Sequence, residues 1–202
     1  VTNSLTVYPL TSGIVILPDN STRWFWFNKQ SIYEQTSTTA ATDRSSTTYS
    51  ASTSTWTWTM FGSLCIATNK LNNPQSSSSG AFADLSGSPP KAQLVASNMG
   101  FVMFADFNDG TDTPDGWYCS QLENPTGSWT TSNATQCDKG RLYDTPGKIC
   151  ALVALRDSIV AFKENSIYVG DYIGDTTNGI IWAWRLISDK IGCAAPHGVA
   201  TL

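Results

Sequence analysis

Short runs of apolar residues recur along the chain, most of them bounded by turn residues. They are GIVIL (13–17), RWFWF (23–27), WTWTMF (56–61), SLCIAT (63–68), GFVMFA (100–105), ICALVAL (149–155), SIVAF (158–162), SIYVGDY (166–172) and IIWAWRLI (180–187). All are rich in β-branched and aromatic residues, which suit a pleated, half-buried surface. No long segment carries the i, i+3, i+4, i+7 spacing of an amphipathic helix. The pattern predicts an all-β protein of many short strands.

The runs also repeat. A small or turn residue is followed by an apolar stretch, a polar turn with Asn or Asp, and usually a second stretch. This plan starts near Gly13, Gly62, Gly100 and Asp157. Spacings of roughly 40–50 residues with two to four strands each suggest propeller blades. The triplet Trp-x-Trp occurs at Trp24/Trp26, Trp56/Trp58 and Trp182/Trp184. Residues i and i+2 of a strand share a face, so each pair gives one sheet face two large rings. All six are expected in the core or between blades. The predicted fold is therefore a β-propeller, or a large part of one, with antiparallel blades of three or four strands. A β-sandwich is the alternative that the same strands allow. Residues 1–202 are read as one such domain or a portion of one. A Ser/Thr-rich surface loop is expected at 35–55 and a second polar loop at NNPQSSSS (72–79).

The length of 202 residues fits one domain of ordinary size. Charged residues make up only 14%, and the net charge is −4. That argues against a nucleic-acid binder with a basic face. No apolar run is long enough for a membrane-spanning helix. The five cysteines are an odd number without a C-x-x-C, which points to buried free thiols in a reducing compartment. One histidine, His197, excludes a zinc site built from several. The chain opens VTNSL, without an initiator Met or a basic-then-apolar leader. It ends HGVATL, which reads as the start of a strand. An excerpt of a longer protein is the expectation.

Candidate chemistry is sparse. The segment from Asp106 to Asp115 holds four carboxylates and an Asn within ten residues. Oxygen ligands from Asp106, Asn108, Asp109 and Asp112 are a weak candidate for a cation site. The register is wrong for an EF-hand loop, and a solvated turn is the simpler reading. Asp171 and Asp175 are the other carboxylates spaced for paired-acid chemistry, although a turn at a strand end explains them too. There is no Gly-x-Ser-x-Gly elbow and no phosphate-cradling glycine loop. Neither catalysis nor a cofactor is expected.

Two long stretches resemble a known family. The first is WTWTMFGSLCIATNKLNNPQ (56–75) followed by GAFADLSGSPPKAQLV (80–95) and GFVMFADFNDG. The second is GRLYDTPGKICALVALRDSIVAFKENSIYVGDYIGD (140–175) followed by WAWRLISDKIGCAAPHGV (182–199), with WYCSQLENPTGSW (117–129) between them. In order and phrasing they resemble the tail β-propeller proteins, hub or nozzle, of short-tailed bacteriophages. The recurrent phrases fall at 61–69, 82–92 and 191–199. The resemblance covers about residues 56–202.

It implies a virion structural protein that forms or closes the distal DNA-exit channel. It also implies assembly in the host bacterial cytoplasm into a tail. Implied partners are other tail proteins (adaptor or portal, and fibres), further copies in a ring such as a hexamer, and transiently the phage DNA, with no membrane insertion. Residues 1–101 carry four acids and five bases, and residues 102–202 twelve acids and seven bases. An acidic wall repels a phosphate backbone and eases its passage. Asp106, Asp109, Asp112 and Asp115 are thus the channel-facing candidates. The rival reading is a carbohydrate-binding or glycan-processing propeller for host recognition. It requires exposed tryptophans with carboxylates nearby.

Overall fold

The computed structural model describes residues 9–38, 40–51, 55–195 and 198–199. It is all-β, with sixteen strands and no helix among the described residues. Sheet I comprises β1 (Thr11–Ile16), β2 (Thr22–Phe27), β3 (Ile32–Gln35) and β4 (Ala41–Asp43). Sheet II comprises β5 (Thr57–Phe61), β6 (Leu64–Thr68), β7 (Gln75–Ser77) and β8 (Ala83–Asp84). Sheet III comprises β9 (Lys91–Asn98), β10 (Phe101–Asn108), β11 (Asp112–Cys119) and β12 (Lys139–Arg141). Sheet IV comprises β13 (Ile149–Leu155), β14 (Ser158–Lys163), β15 (Ile167–Asp175) and β16 (Ile180–Ser188). Each sheet is an antiparallel meander in chain order. Four sheets in series, rather than two face to face, set the array apart from a β-sandwich.

The hairpin between the first two strands is tight in sheets II, III and IV. Gly62, Gly100, Met99 and Arg156 supply the positive φ that a two-residue loop requires. Gly62, Gly100 and Asp157, three of the four repeat starts read from the sequence, lie at these hairpin tips. The first strands lie side by side: β1 touches β5, β5 packs beside β9, and β9 beside β13.

Three apolar clusters fill the three seams between successive sheets. Val15, Phe25, Phe27 and Ile32 of sheet I meet Trp56, Cys65, Ala67 and Phe82. Ile66 and Leu85 of sheet II meet Val102, Phe104, Phe107, Tyr118 and Trp129. Phe101, Met103, Ala105 and Trp117 of sheet III meet Leu152, Ile159, Ala161, Tyr168 and Trp182. Sheets II and III therefore pack against a neighbouring sheet on both faces, while sheets I and IV each pack against one. Among the described residues no apolar cluster joins sheet IV to sheet I, and the described sheets do not close a ring.

Both expected loops contain strands. The 35–55 segment supplies β4, and its Tyr49 is buried in the first seam, donating to Gln75 Oε1 at 3.0 Å. The 72–79 segment supplies β7, whose Gln75 and Ser77 are buried. Their polar atoms are satisfied: Gln75 Nε2 donates to Asp84 Oδ1 at 2.6 Å, and Ser77 Oγ accepts from Arg23 at 3.0 Å. Polar composition alone does not betray a strand that pays its hydrogen bonds internally.

Close approach of sheets I and II depends on one missing side chain. A Cβ at Gly13 would lie 2.3 Å from the Trp58 indole. Gly13→Ala forces the ring or the strand to shift, an overpacking cost of about 1–3 kcal/mol. Thermal unfolding should show a Tm lowered by roughly 3–10 °C; an unchanged Tm would mean the seam yields freely.

Candidate functional site

The acidic turn is the hairpin between β10 and β11, at the outer part of sheet III. It is built on a β-bulge at Asp106, where φ is 51° and the register shifts between Ala105 and Phe107. Asp is among the few residues that tolerate this conformation. The extra residue turns Phe107 toward sheet II, beside Tyr118, and aims Asp106 at Lys70 of the loop after β6.

Every carboxylate of the candidate set has a cationic partner. Lys70 Nζ bridges Asp106 and Asp112, the latter at 2.7 Å. Lys139 Nζ meets Asp109 at 2.5 Å. Arg141 grips Asp115 with two hydrogen bonds of 2.8 and 3.0 Å. Asn108 Oδ1 accepts from the Gly110 amide at 2.9 Å, which shapes the turn tip. Burial pushes the Asp106 carboxyl up despite Lys70. Burial also works against the Lys70 ammonium, but its bonds to the two carboxylates outweigh that and hold its pKa up. The lysines take up these oxygens, and among the described residues no group of three or more His, Cys, Asp or Glu could hold a metal ion.

The first strands of all four sheets converge on a cavity of about 150 Å³, lined among others by Thr11, Trp58, Leu94, Leu152 and Val199. At roughly 30 Å³ per molecule that is space for a few waters, far less than a nucleic-acid duplex. Asp106, Asp109, Asp112 and Asp115 do not line it. Asp106 lies on the second strand and Asp112 and Asp115 on the third, while Asp109 sits in the turn between them beside an open groove of about 660 Å³ between sheets II and III, bordered also by Lys70, Lys91, Asn108 and Tyr118.

The six paired tryptophans divide by position in the series. Trp56 and Trp182 are buried, and Trp58, Trp184 and Trp26 are half-buried. Trp24 is 44% exposed, contrary to the expectation of a core role. It stands on the outward face of sheet I, with its ring 5.6 Å from Trp26. Register places Ile14 beside Trp24, Tyr33 beside Trp26 and Asp43 beside Tyr33, on this same face.

The remaining reactive groups are held in structural roles. Cys65, Cys119, Cys137 and Cys150 are buried, and all five thiols are free. Burial pushes Cys65 up to about 12 and Cys137 up to about 11, so neither is a nucleophile near neutral pH. Asp171 pairs with Arg185 at 3.1 Å, and Asp175 caps its own turn through Asn178. His197 lies outside the described residues. No protein-family model matches the chain, and no curated protein does.

Two buried charges that the sequence did not single out tie the seams. Arg23 on β2 binds Glu34 at 2.6 Å and reaches across to Ser77 and the Gly80 carbonyl of sheet II, while Arg44 binds the other oxygen of Glu34 at 2.6 Å. Burial pushes Glu34 up, but the hydrogen bonds from the two guanidinium groups prevail and hold it below its ordinary value. A depressed carboxylate stabilises the fold above its unfolded pKa and loses that contribution as pH falls through the folded one. Glu34→Gln should cost about 1.5–3 kcal/mol near pH 7, because it removes the charge in the hydrogen bonds that two guanidinium groups share, while Arg23 keeps Ser77 and Gly80. In denaturant titrations the gap from wild type should shrink as pH falls below roughly 4. A gap independent of pH would exclude the ionic contribution.

Lys163 on β14 is fully buried, and its Nζ donates to the Leu142 carbonyl at 2.6 Å and to the Thr145 carbonyl. It fastens the crossing from sheet III to sheet IV, where Thr145 Oγ1 also meets Ser166 Oγ at 2.7 Å. Burial lowers the pKa of this amine. Lys163→Met keeps the bulk and orphans two carbonyls, a loss of about 2–4 kcal/mol, to be read from the denaturation midpoint. Unaltered stability would mean that the crossing does not depend on the amine.

Proposed function

We propose that the chain is a structural element of a tailed-phage virion, part of a propeller-like hub or nozzle wall at the distal end of the tail. One observation carries this reading. Two sheets are buried on both faces, and the two end sheets turn apolar faces outward, with Ile14 56% and Leu155 52% exposed. A sheet series with such ends is built to be packed between neighbours.

The resemblance phrases fall on elements that such packing uses. Residues 61–69 make up the hairpin tip and strand β6 in the middle of the series. Residues 82–92 carry the chain from sheet II to sheet III, 191–195 follow β16, and Val199 lines the cavity where the first strands converge. In the last of these, Gly192 lets the chain press against the β14–β15 turn, where Cys193 N donates to Lys163 O at 2.8 Å. With so small an axial cavity, a DNA path in this reading runs between chains rather than along the axis of one sheet array.

The exposed Trp24 ring, beside the half-buried Trp26, favours a second reading, a surface that stacks sugar rings during host recognition. Mass spectrometry and immunogold labelling of purified particles decide between them. The chain should be a stoichiometric component at the tail end, and a nonsense mutation in its gene should yield particles that fail to retain DNA. Absence from purified virions would overturn the tail reading.

A further inference from the structure

The open groove of about 660 Å³ between sheets II and III continues past the acidic turn. A smaller hollow of about 370 Å³, bordered by Asp84 and Leu85, adjoins it. Asn73, Ser88 and Pro89 wall both, so the two form one elongated crease. Its size is that of a ligand site, and such sites are largely formed in advance. Here the walls are fixed by contacts already made. The bulge at Asp106 holds Lys70, and the Asn108 bond to the Gly110 amide sets the hairpin tip. Tyr118 is anchored by its hydroxyl, which donates to the Trp129 carbonyl. Pro89 and Pro90 stiffen the stretch before β9 by fixing two successive φ angles. A wall that is ordered beforehand lowers the entropic cost of binding.

We propose that this crease binds a neutral oligosaccharide. Charge selects against an ion. In and beside the larger groove, Lys70, Lys91 and Lys139 are balanced by Asp106, Asp109 and Asp112. The smaller hollow adds Asp84, which already accepts from Asn73 at 2.8 Å and from Gln75 at 2.6 Å. No surplus of positive charge remains to draw in a phosphate or an acidic sugar. Free hydrogen-bonding capacity does remain. Lys91 Nζ, Ser88 Oγ and Asn108 Nδ2 have no partner among the described residues, and the carboxylates of Asp84 and Asp109 keep spare lone pairs. Donors and acceptors set side by side match sugar hydroxyls, each of which donates and accepts. Leu71, Pro89 and the Tyr118 ring supply apolar wall for the C–H faces of the sugar. An extended peptide fits less well, because strand addition needs a row of main-chain donors and acceptors, and Pro89 and Pro90 carry no N–H. Two joined hollows suit several linked sugar units rather than one. The inference rests on the second reading above, host recognition through sugars, and moves the contact from Trp24 to this crease.

The test is an NMR titration of the isotope-labelled 202-residue chain with hexamers of glucose, mannose or N-acetylglucosamine, and with the galacturonate hexamer as acidic probe. Concentrations up to about 10 mM cover the weak affinities of an open groove. At least one neutral hexamer should shift the amides of Leu71, Lys91, Asn108 and Gly110. Its monomer should bind at least about tenfold more weakly, since it fills only part of the crease. Lys91→Ala removes one free donor. Asn108→Asp removes another and keeps the oxygen that accepts from Gly110. Each should weaken binding about three- to tenfold, as loss of one hydrogen bond does, with the melting curve unchanged. Trp24→Ala should leave the affinity as it was. Silence of these four amides with every neutral hexamer would overturn the proposal. So would tighter binding of galacturonate, or an affinity insensitive to both groove substitutions. Shifts confined to Trp24 and Trp26, and lost in Trp24→Ala, would overturn the crease and leave sugar recognition standing; no shift at either place would remove both.

Discussion

A β-strand sends successive side chains to opposite faces, and in a series of stacked sheets that simple fact governs everything else. An inner sheet must be apolar on both faces, so its strands cannot read as alternating polar and apolar. Strand β10 meets this demand with an unbroken run: Phe101, Met103 and Ala105 pack toward sheet IV while Val102 and Phe104 pack toward sheet II. The run ends at Asp106. Without a bulge there, a carboxylate would occupy the sheet II side and Phe107 the other. The positive φ at Asp106 inserts an extra residue, restores an aromatic ring to the second seam, and passes the carboxylate to Lys70.

Where the apolar filling stops, charged groups take over as ties between sheets. Arg23 links sheet I to Ser77 and Gly80 of sheet II, Lys70 links the end of sheet II to the bulge of sheet III, and Lys163 secures the crossing into sheet IV. Each has its polar hydrogens directed at specific oxygens, which is the condition for burying such groups without a large penalty. A chain with only 14% charged residues has few to deploy. Smaller ties serve the axis, where Thr57 Oγ1 donates to Gln93 O at 2.8 Å and Thr59 Oγ1 meets Ser97 Oγ at 2.9 Å, both across the second seam.

The strands that sequence made legible are those that face two apolar neighbours or form the long strands of sheet IV. Strand β14 and the run from Ile149 to Leu155 are plain from their β-branched and small apolar residues. Outer strands such as β7 (Gln75–Ser77) and β8 (Ala83–Asp84) are short and polar, and hydrogen bonds to sheet I side chains or to one another replace apolar burial there. Strand β9 begins Lys91-Ala-Gln and escapes an apolar-run criterion, although its Leu94, Val95 and Ala96 are buried. For Trp24 the spacing correctly gave a shared face with Trp26. What no local pattern could supply is that sheet I stands at the end of the series and meets a neighbour on one side only. The acidic turn was likewise visible as a cluster of carboxylates, but its partners Lys70, Lys139 and Arg141 come from elsewhere in the chain, and only the fold brings them near.

The same geometry constrains where function can reside. Where the first strands converge, Thr11, Trp58, Leu94 and Leu152 line only a small cavity of about 150 Å³. The acids of the β10–β11 hairpin are neutralised by lysine and arginine within their own neighbourhood, so the local field they project is much weaker than four free carboxylates would give. Among the described residues, exposed apolar side chains occur on the outward face of sheet I and on sheet IV. Trp24, Ile14 and Ile16 on one and Leu155 with its β-branched neighbours on the other are dispersed over two sheet faces rather than gathered into a pocket. Apolar side chains spread in this way suit packing against another apolar surface better than capture of a small ligand.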